Sequence, residues 1–156
     1  MRRIAVQIAA FAGFLALGLA LSSAPAAADT VANENQFVVL INQLRASKGL
    51  GALSPNAELQ SVARAWSAVM AGTGTLAHNP NFPNQVKSNW LMLGENVGVG
   101  PTVDELHRAF VASPKHYENL VEPRFNAVGI GIVEVNGTIW VTQNFEQLGA
   151  AAPVKA

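Results

Sequence analysis

The sequence predicts an α+β fold, and two patterns predict it. Several stretches carry apolar residues at helical spacing, and near the end two β-branched runs flank an Asn-Gly pair, a strong short-range signal for an antiparallel hairpin. A third observation bears on chemistry. Three short polar stretches, Leu76-Ala-His78, Gly94-Glu-Asn-Val-Gly98 and Ser113-Pro-Lys-His-Tyr-Glu-Asn119, hold two of the three histidines of an otherwise apolar chain.

Residues 1–28 read as a secretory leader: Met1-Arg-Arg3, an apolar run from Ile4 to Leu21, and a small-residue cleavage site at Ala26-Ala-Ala28. The run is at the lower edge of what spans a bilayer, so the cleavage motif decides for removal over retention as an anchor. Removal leaves 128 residues, one domain's worth, with eight Lys and Arg against ten Asp and Glu. A net charge of −2 without a basic cluster gives nucleic acid no footprint. The chain has no Cys, which excludes disulfides, thiolate catalysis and thiolate metal sites. The expected organisation is a mature N-terminal segment over 29–35, a domain over 36–147 and a flexible tail over 148–156, without a membrane span.

In the first helix, Asn33 to Lys48, Phe37, Leu40, Ile41 and Leu44 share a face, and Gly49 ends it. Asn42 and Arg45 lie off that face. Ser54-Pro55 reads as a cap with Pro at the first helical position, opening a second helix to Gly72 that buries Leu59, Val62, Ala63, Trp66 and Met70. Gly72 to Asn89 reads as a long loop holding His78. Glu95 is expected to emerge from a short strand or tight turn. Thr102-Val-Asp-Glu105 is a capping box for a third helix, and Ser113-Pro114 caps a short fourth that Pro123 stops. The hairpin runs Ala127–Val135, Asn136-Gly137, Thr138–Gln143, and Gly129 and Gly131 leave one face of its first strand open to close approach.

The three polar stretches, with Ile41-Asn42 and Arg45 near the start and Trp140 and Gln143-Asn144-Phe145 near the end, resemble the CAP superfamily of cysteine-rich secretory, antigen 5 and pathogenesis-related proteins, in its short cysteine-free bacterial form. The resemblance covers roughly Gln36 to Phe145. It implies an α-β-α sandwich with about three antiparallel strands between helical layers, and it implies that Asn42 and Arg45 tie the first helix to the domain. It also implies a cleft lined by two His and two acidic residues. His78, Glu95 and His116 match three of these positions, whereas the fourth falls on Ser113 in the frame Phe110-Val-Ala-Ser113.

Two imidazoles and a carboxylate suit a divalent ion where thiolates are missing, zinc above others, and no organic cofactor is expected. Three readings of the trio stand: a structural hydrogen-bond cluster, a divalent-ion site, and a catalytic centre. Catalysis has the least support, since no nucleophile or oxyanion hole is recognisable and Ser113 serves as a helix cap. Asn96 and Asn119 read as loop braces, and His107 as a substitute ligand one turn into the third helix. The implied function is an exported, monomeric binding module for a lipid, cell-wall or protein ligand. The alternatives are a zinc hydrolase and an envelope structural protein.

Export is expected to leave Asp29 as the first residue. N-terminal sequencing of the exported protein checks this, and recovery of Met1 to Leu21 in membranes contradicts it.

Overall fold

The computed structural model describes residues 24–149, with side chains from Asp29 onward, so the expected leader up to residue 23 and the tail from residue 150 lie outside the described residues. The elements are α1 (Ala24–Ser47), β1 (Ser54–Pro55), α2 (Ala57–Thr73), α3 (Phe82–Gln85), β2 (Trp90–Gly100), α4 (Val103–Ala112), α5 (Pro114–Val121), β3 (Ala127–Val135) and β4 (Thr138–Leu148). The sheet order is β1-β3-β4-β2. Three long strands pair antiparallel as expected, and β1 adds a two-residue parallel rung, Ser54 to Ala127 and Pro55 to Val128.

The hairpin turns where Asn-Gly requires it. Asn136 and Gly137 both have positive φ, 51° and 73°, and Val135 pairs with Thr138 across them. That register separates the faces of the sheet. Val128, Ile130 and Ile132 with Ile139, Val141 and Phe145 join Phe37 and Ile41 of α1, Leu106 and Phe110 of α4 and Leu120 of α5 in the main core. The other face carries Gly129 and Gly131 beside buried Thr142, Asn144 and Glu146, and α2 packs there. A Cβ on Gly131 would stand 2.1 Å from Arg64 N, and one on Gly129 would stand 2.2 Å from Gln60 N. The close approach expected of these glycines is that of α2 backbone to β3.

Contact at that range exposes α2 to the polar residues of β4, and each finds a partner. Ser67 Oγ lies 2.9 Å from Thr142 Oγ1 and donates to Gly131 O, while Asn144 Nδ2 donates to Leu59 O at 3.3 Å. Glu34 of α1 reaches round the free edge of β3. Its carboxylate accepts Ile132 N, Gln60 Nε2 and, from Arg64, Nε and Nη2, which blunts the edge and joins the two helical layers.

On the opposite layer Arg45 is 1% exposed and donates to four carbonyls, Gly51, Leu120, Glu122 and Phe125. Asn42 exchanges two bonds with the Leu53 backbone. Both are ties, as the resemblance implies. Arg45 fixes the C-terminal end of α5, and with it the direction of the whole helix.

Several boundaries differ from the sequence reading. No breaker separates the Ala-rich stretch from Phe37, so α1 is already helical at Ala24, the first described residue, and the segment 29–35 and the expected cleavage point lie within it. Ser54 and Pro55 form β1, and Asn56 caps α2 instead, its side chain accepting Glu58 N and Leu59 N. That helix runs past Gly72 to Thr73, because Gly74 is the glycine that takes the left-handed conformation, φ 66°. The loop that follows contains α3, whose Phe82 packs with Leu59 and Val86. Trp66 is half-buried, outside the core, and its Nε1 donates to Ala77 O at 2.8 Å, tethering that loop. Trp140 is also half-buried.

Gly131→Ala is expected to destabilise by about 1–3 kcal/mol or more through overpacking. Trp66→Ala should cost less than the roughly 3–5 kcal/mol of a fully buried ring. Urea unfolding measures both, and a Gly131→Ala loss below about 0.5 kcal/mol contradicts the packing of α2.

Candidate functional site

β2 is the outer strand of the sheet, bonded only to β4, and its alternation splits Glu95 and Asn96 between the two faces. Glu95 lies opposite Asn144 on the α2 side, and Asn96 lies opposite Gln143 on the α4–α5 side. A cavity of about 590 Å³ straddles this edge. It is lined by His78, Glu95, Asn96, Ser113, Pro114, Lys115, His116 and Asn119. The structure thus gathers the expected trio and three of its four expected supporters in one cleft.

On the loop side, Glu95 Oε1 accepts His78 Nδ1–H at 2.8 Å and Asn79 N–H at 2.9 Å. The Glu95 side chain is only 7% exposed, against 66% for His78, so a fixed carboxylate orients a ring that reaches outward. With Nδ1 as the donor of that bond, the atom of the ring left for a ligand is Nε2. Glu95 Oε2 is buried and has no hydrogen-bond partner. Leaving such an acceptor unmet costs about 1–3 kcal/mol. Burial pushes the Glu95 carboxyl above its ordinary range, against the pull of Asn79 N–H and His78.

On the helix side, Ser113 stands at the N-cap of α5, but its side chain caps nothing. This corrects the expectation of a capping Ser113: its Oγ pairs with His116 Nδ1 at 2.9 Å. The His116 ring also meets Phe110 edge-on, centroids 5.0 Å apart. Burial, and then the nearby His78, lower the His116 pKa, which favours the neutral ring.

A chain of side-chain amides joins the two sides. Asn119 Nδ2 donates to Glu95 O and Asn96 Oδ1, while Asn96 Nδ2 donates to His116 O and Gln143 Oε1. Asn96 and Asn119 therefore brace β2 against α5, close to their expected role. Gln143 escaped the sequence reading as a site residue, although it sits in the Gln143-Asn144-Phe145 stretch and its periodicity places it inside the sheet. His107 does not join the cleft. It lines a separate groove between α1 and α4, because Val103, Leu106 and Phe110 take the core face of α4 and turn His107 aside.

Among the described residues no three His, Asp or Glu side chains are gathered closely enough to hold one metal ion. What the geometry offers is a pair of imidazoles, each with Nδ1 occupied. The Ser113–His116 contact lacks a carboxylate behind the ring, since Glu95 serves His78.

An α-β-α sandwich with a His/Glu cleft at its sheet edge defines the class, and sequence comparison agrees. Residues 38–145 match CAP, the cysteine-rich secretory protein family, and the chain belongs to it. The Bacillus subtilis (strain 168) protein YkwD is 32% identical over 130 residues, covering 78% of this chain and 49% of YkwD, so the chain spans about half of that relative. Two solved structures share the fold. An extracellular SCP-domain protein of Bacillus anthracis superposes with TM-score 0.68 at 22% identity, covering 76% of this chain and 41% of that one. An outer surface protein of Borrelia burgdorferi superposes with TM-score 0.71 at 18% identity, covering 78% of this chain and 96% of that one. No helix among the described residues is long and apolar enough to cross a membrane.

The titration of the site has a definite sign. With its folded pKa lowered, His116 binds fewer protons folded than unfolded, so its contribution to stability rises with pH up to the ordinary imidazole value of about 6.5. Glu95, raised, works oppositely, its contribution falling as pH climbs from the ordinary carboxylate value to the folded one. NMR titration is expected to place His116 below and Glu95 above their reference values. Reversal of either contradicts the burial described.

Proposed function

We propose that this is an exported, non-catalytic CAP-domain binding module whose cleft takes a divalent ion, zinc by preference, between His78 Nε2 and His116 Nε2. The observation that carries the reading is the occupation of both Nδ1 atoms, by Glu95 and by Ser113, in two histidines that line one cleft, which leaves the other nitrogen of each ring as its ligating atom. Carboxylate-backed and hydroxyl-backed imidazoles of this kind are the outer-shell arrangement that metal-binding histidines use. Glu95 then orients a ligand and is not itself a third one, consistent with the absence of a three-residue cluster among the described residues. Zinc bound by two protein nitrogens keeps positions open for ligand or water. Hydrolysis has weaker support, because nothing in the cleft combines a nucleophile with a base that a third group orients. Export rests on the leader pattern and on the extracellular and outer-surface character of the two structural neighbours.

A second reading concerns the groove between α1 and α4, about 500 Å³. Leu40, Leu44, Val111 and Ala112 give it apolar walls, and Gln43, His107 and Arg108 supply polar groups. His107 Nδ1 is buried there without a partner, and burial lowers the pKa of its ring. An acyl chain with a polar head satisfies both features, which favours lipid as its occupant.

Isothermal titration of metal-free mature protein with zinc is expected to give one site per chain, weakened at least about tenfold in His78→Ala or His116→Ala and unchanged in His107→Ala. Affinity should fall as pH drops and protons compete for Nε2. Zinc binding that survives the His78→Ala, His116→Ala double substitution overturns the reading.

A further inference from the structure

Asn136-Gly137 is the single Asn-Gly pair in the sequence, and the turn it forms stands clear of the folded body. Glu134, Val135, Asn136 and Gly137 are exposed in succession, whereas the strands below them are buried from Ala127 to Ile132 and at Ile139 and Val141. A Cβ built on Gly137 would meet no atom within 4 Å. Among the described residues the Asn136 carboxamide has no hydrogen-bond partner, and Gly137 N–H enters none of the turn or loop bonds.

Two groups that react with each other are thereby left unengaged on adjacent residues. One is the carboxamide carbon of Asn136, Cγ, and the other is the backbone nitrogen of Gly137, which has no Cβ beside it to hinder attack. When Gly137 N attacks Cγ, a C–N bond forms and closes a five-membered imide, and the side-chain nitrogen of Asn136 leaves as ammonia with the proton that Gly137 N gives up. Water then opens the ring at either carbonyl. Opening at the side-chain carbonyl gives Asp, and opening at the main-chain carbonyl gives isoaspartate, whose backbone runs through the side chain. One water is consumed and one ammonia released, without an oxidant or reductant. The ring fixes the torsion between Asn136 and Gly137, so the turn has to open before the ring can close. An exposed tip with no atoms packed on it opens locally, without unfolding of the sheet.

We propose that Asn136 is a self-modification site: in the folded protein it converts through the imide with Gly137 to isoaspartate and Asp, with water as co-reactant, an irreversible change that accumulates as the chain ages. Asn136 lines a small cavity of about 220 Å³ with Asp29, Thr30 and Glu134. Either product sets a carboxylate where Asp29 and Glu134 already supply two, and like charges repel. Isoaspartate also adds one carbon to the main chain of a two-residue turn, so the Val135–Thr138 pair beside it is the first to be disturbed. The His/Glu cleft shares no lining residue with this cavity.

The test is incubation of the full mature protein in mildly alkaline buffer, folded in one sample and unfolded in urea in another, followed by peptide mapping with mass spectrometry. The folded protein is expected to gain one mass unit, the exchange of an amide NH₂ for OH, in the tryptic peptide from Phe125 to Lys155. Fragmentation should assign the gain to Asn136, as two separable products, isoaspartate and Asp. Asn136→Gly suits the positive φ of the turn but carries no amide, and it should show no gain in that peptide. In the modified fraction the NMR amide signals of Val135 and Thr138 should shift, with those of Glu95 and His116 in place. Conversion in urea with Asn136 intact in the folded protein overturns the proposal, because the turn then holds the two groups apart. So does the absence of conversion in both samples, or a gain in the folded protein that persists in Asn136→Gly.

Discussion

The contact between α2 and the glycines of β3 is the constraint on which the rest of the structure depends. With Gly129 and Gly131 opposite Asn144 and Thr142, the helix backbone comes down onto the sheet, and no other residue type fits beneath it. Ordinary helix-on-sheet packing interposes side chains, but here the peptide groups of Leu59 to Arg64 take their place. The buried polar row of β4 follows from this, since Thr142 and Asn144 are needed to satisfy and space a backbone so near. Where α2 rests decides where the loop after it starts. Trp66, on the outer side of that helix, holds Ala77, the residue next to His78.

Arg45 does for the other layer what the glycines do for the first. A buried guanidinium that serves four carbonyls cannot shift without leaving several unpaired, so the end of α5 is fixed to the end of α1. With its C-terminus held, α5 presents its first turn at the free edge of β2, and the amides of Asn96, Asn119 and Gln143 lock that placement. The cleft is where two independently fixed layers meet at the outer strand. Glu95 and Asn96, adjacent in sequence but on opposite faces, belong to one layer each.

Much of this was legible in the residues. Asn136-Gly137 determined the hairpin and its register, and alternation then assigned Gly129 and Gly131 to one face. His78, Glu95 and His116 were marked as polar residues in stretches with no packing role. What stayed hidden depended on tertiary placement. β1 is two residues long and exists only because Asn126 O and Val128 O are there to receive Ser54 N and Asn56 N. Trp66 shares a helical stripe with core residues, yet its ring is half-buried outside the core clusters and spends Nε1 on Ala77 O, a partner eleven residues on that its periodicity does not reveal. Ser113 before Pro114 has the form of an N-cap, and nothing local reveals that His116, one turn on, competes for its hydroxyl. Glu34 drew no reading from the sequence, because the backbone it serves, Ile132 N of β3, lies 98 residues further along the chain.

The central claim is the proposal that two separately anchored imidazoles of the cleft share one ion through Nε2, while His107, in its own groove, takes no part. Long-range ¹H–¹⁵N correlation of the imidazole nitrogens during zinc addition tests it directly. Nε2 of His78 and Nε2 of His116 are expected to move together into the metal-bound range at one zinc per chain, with both nitrogens of His107 unmoved. Movement of only one of the pair, coordination through Nδ1, or a response at His107 would contradict it.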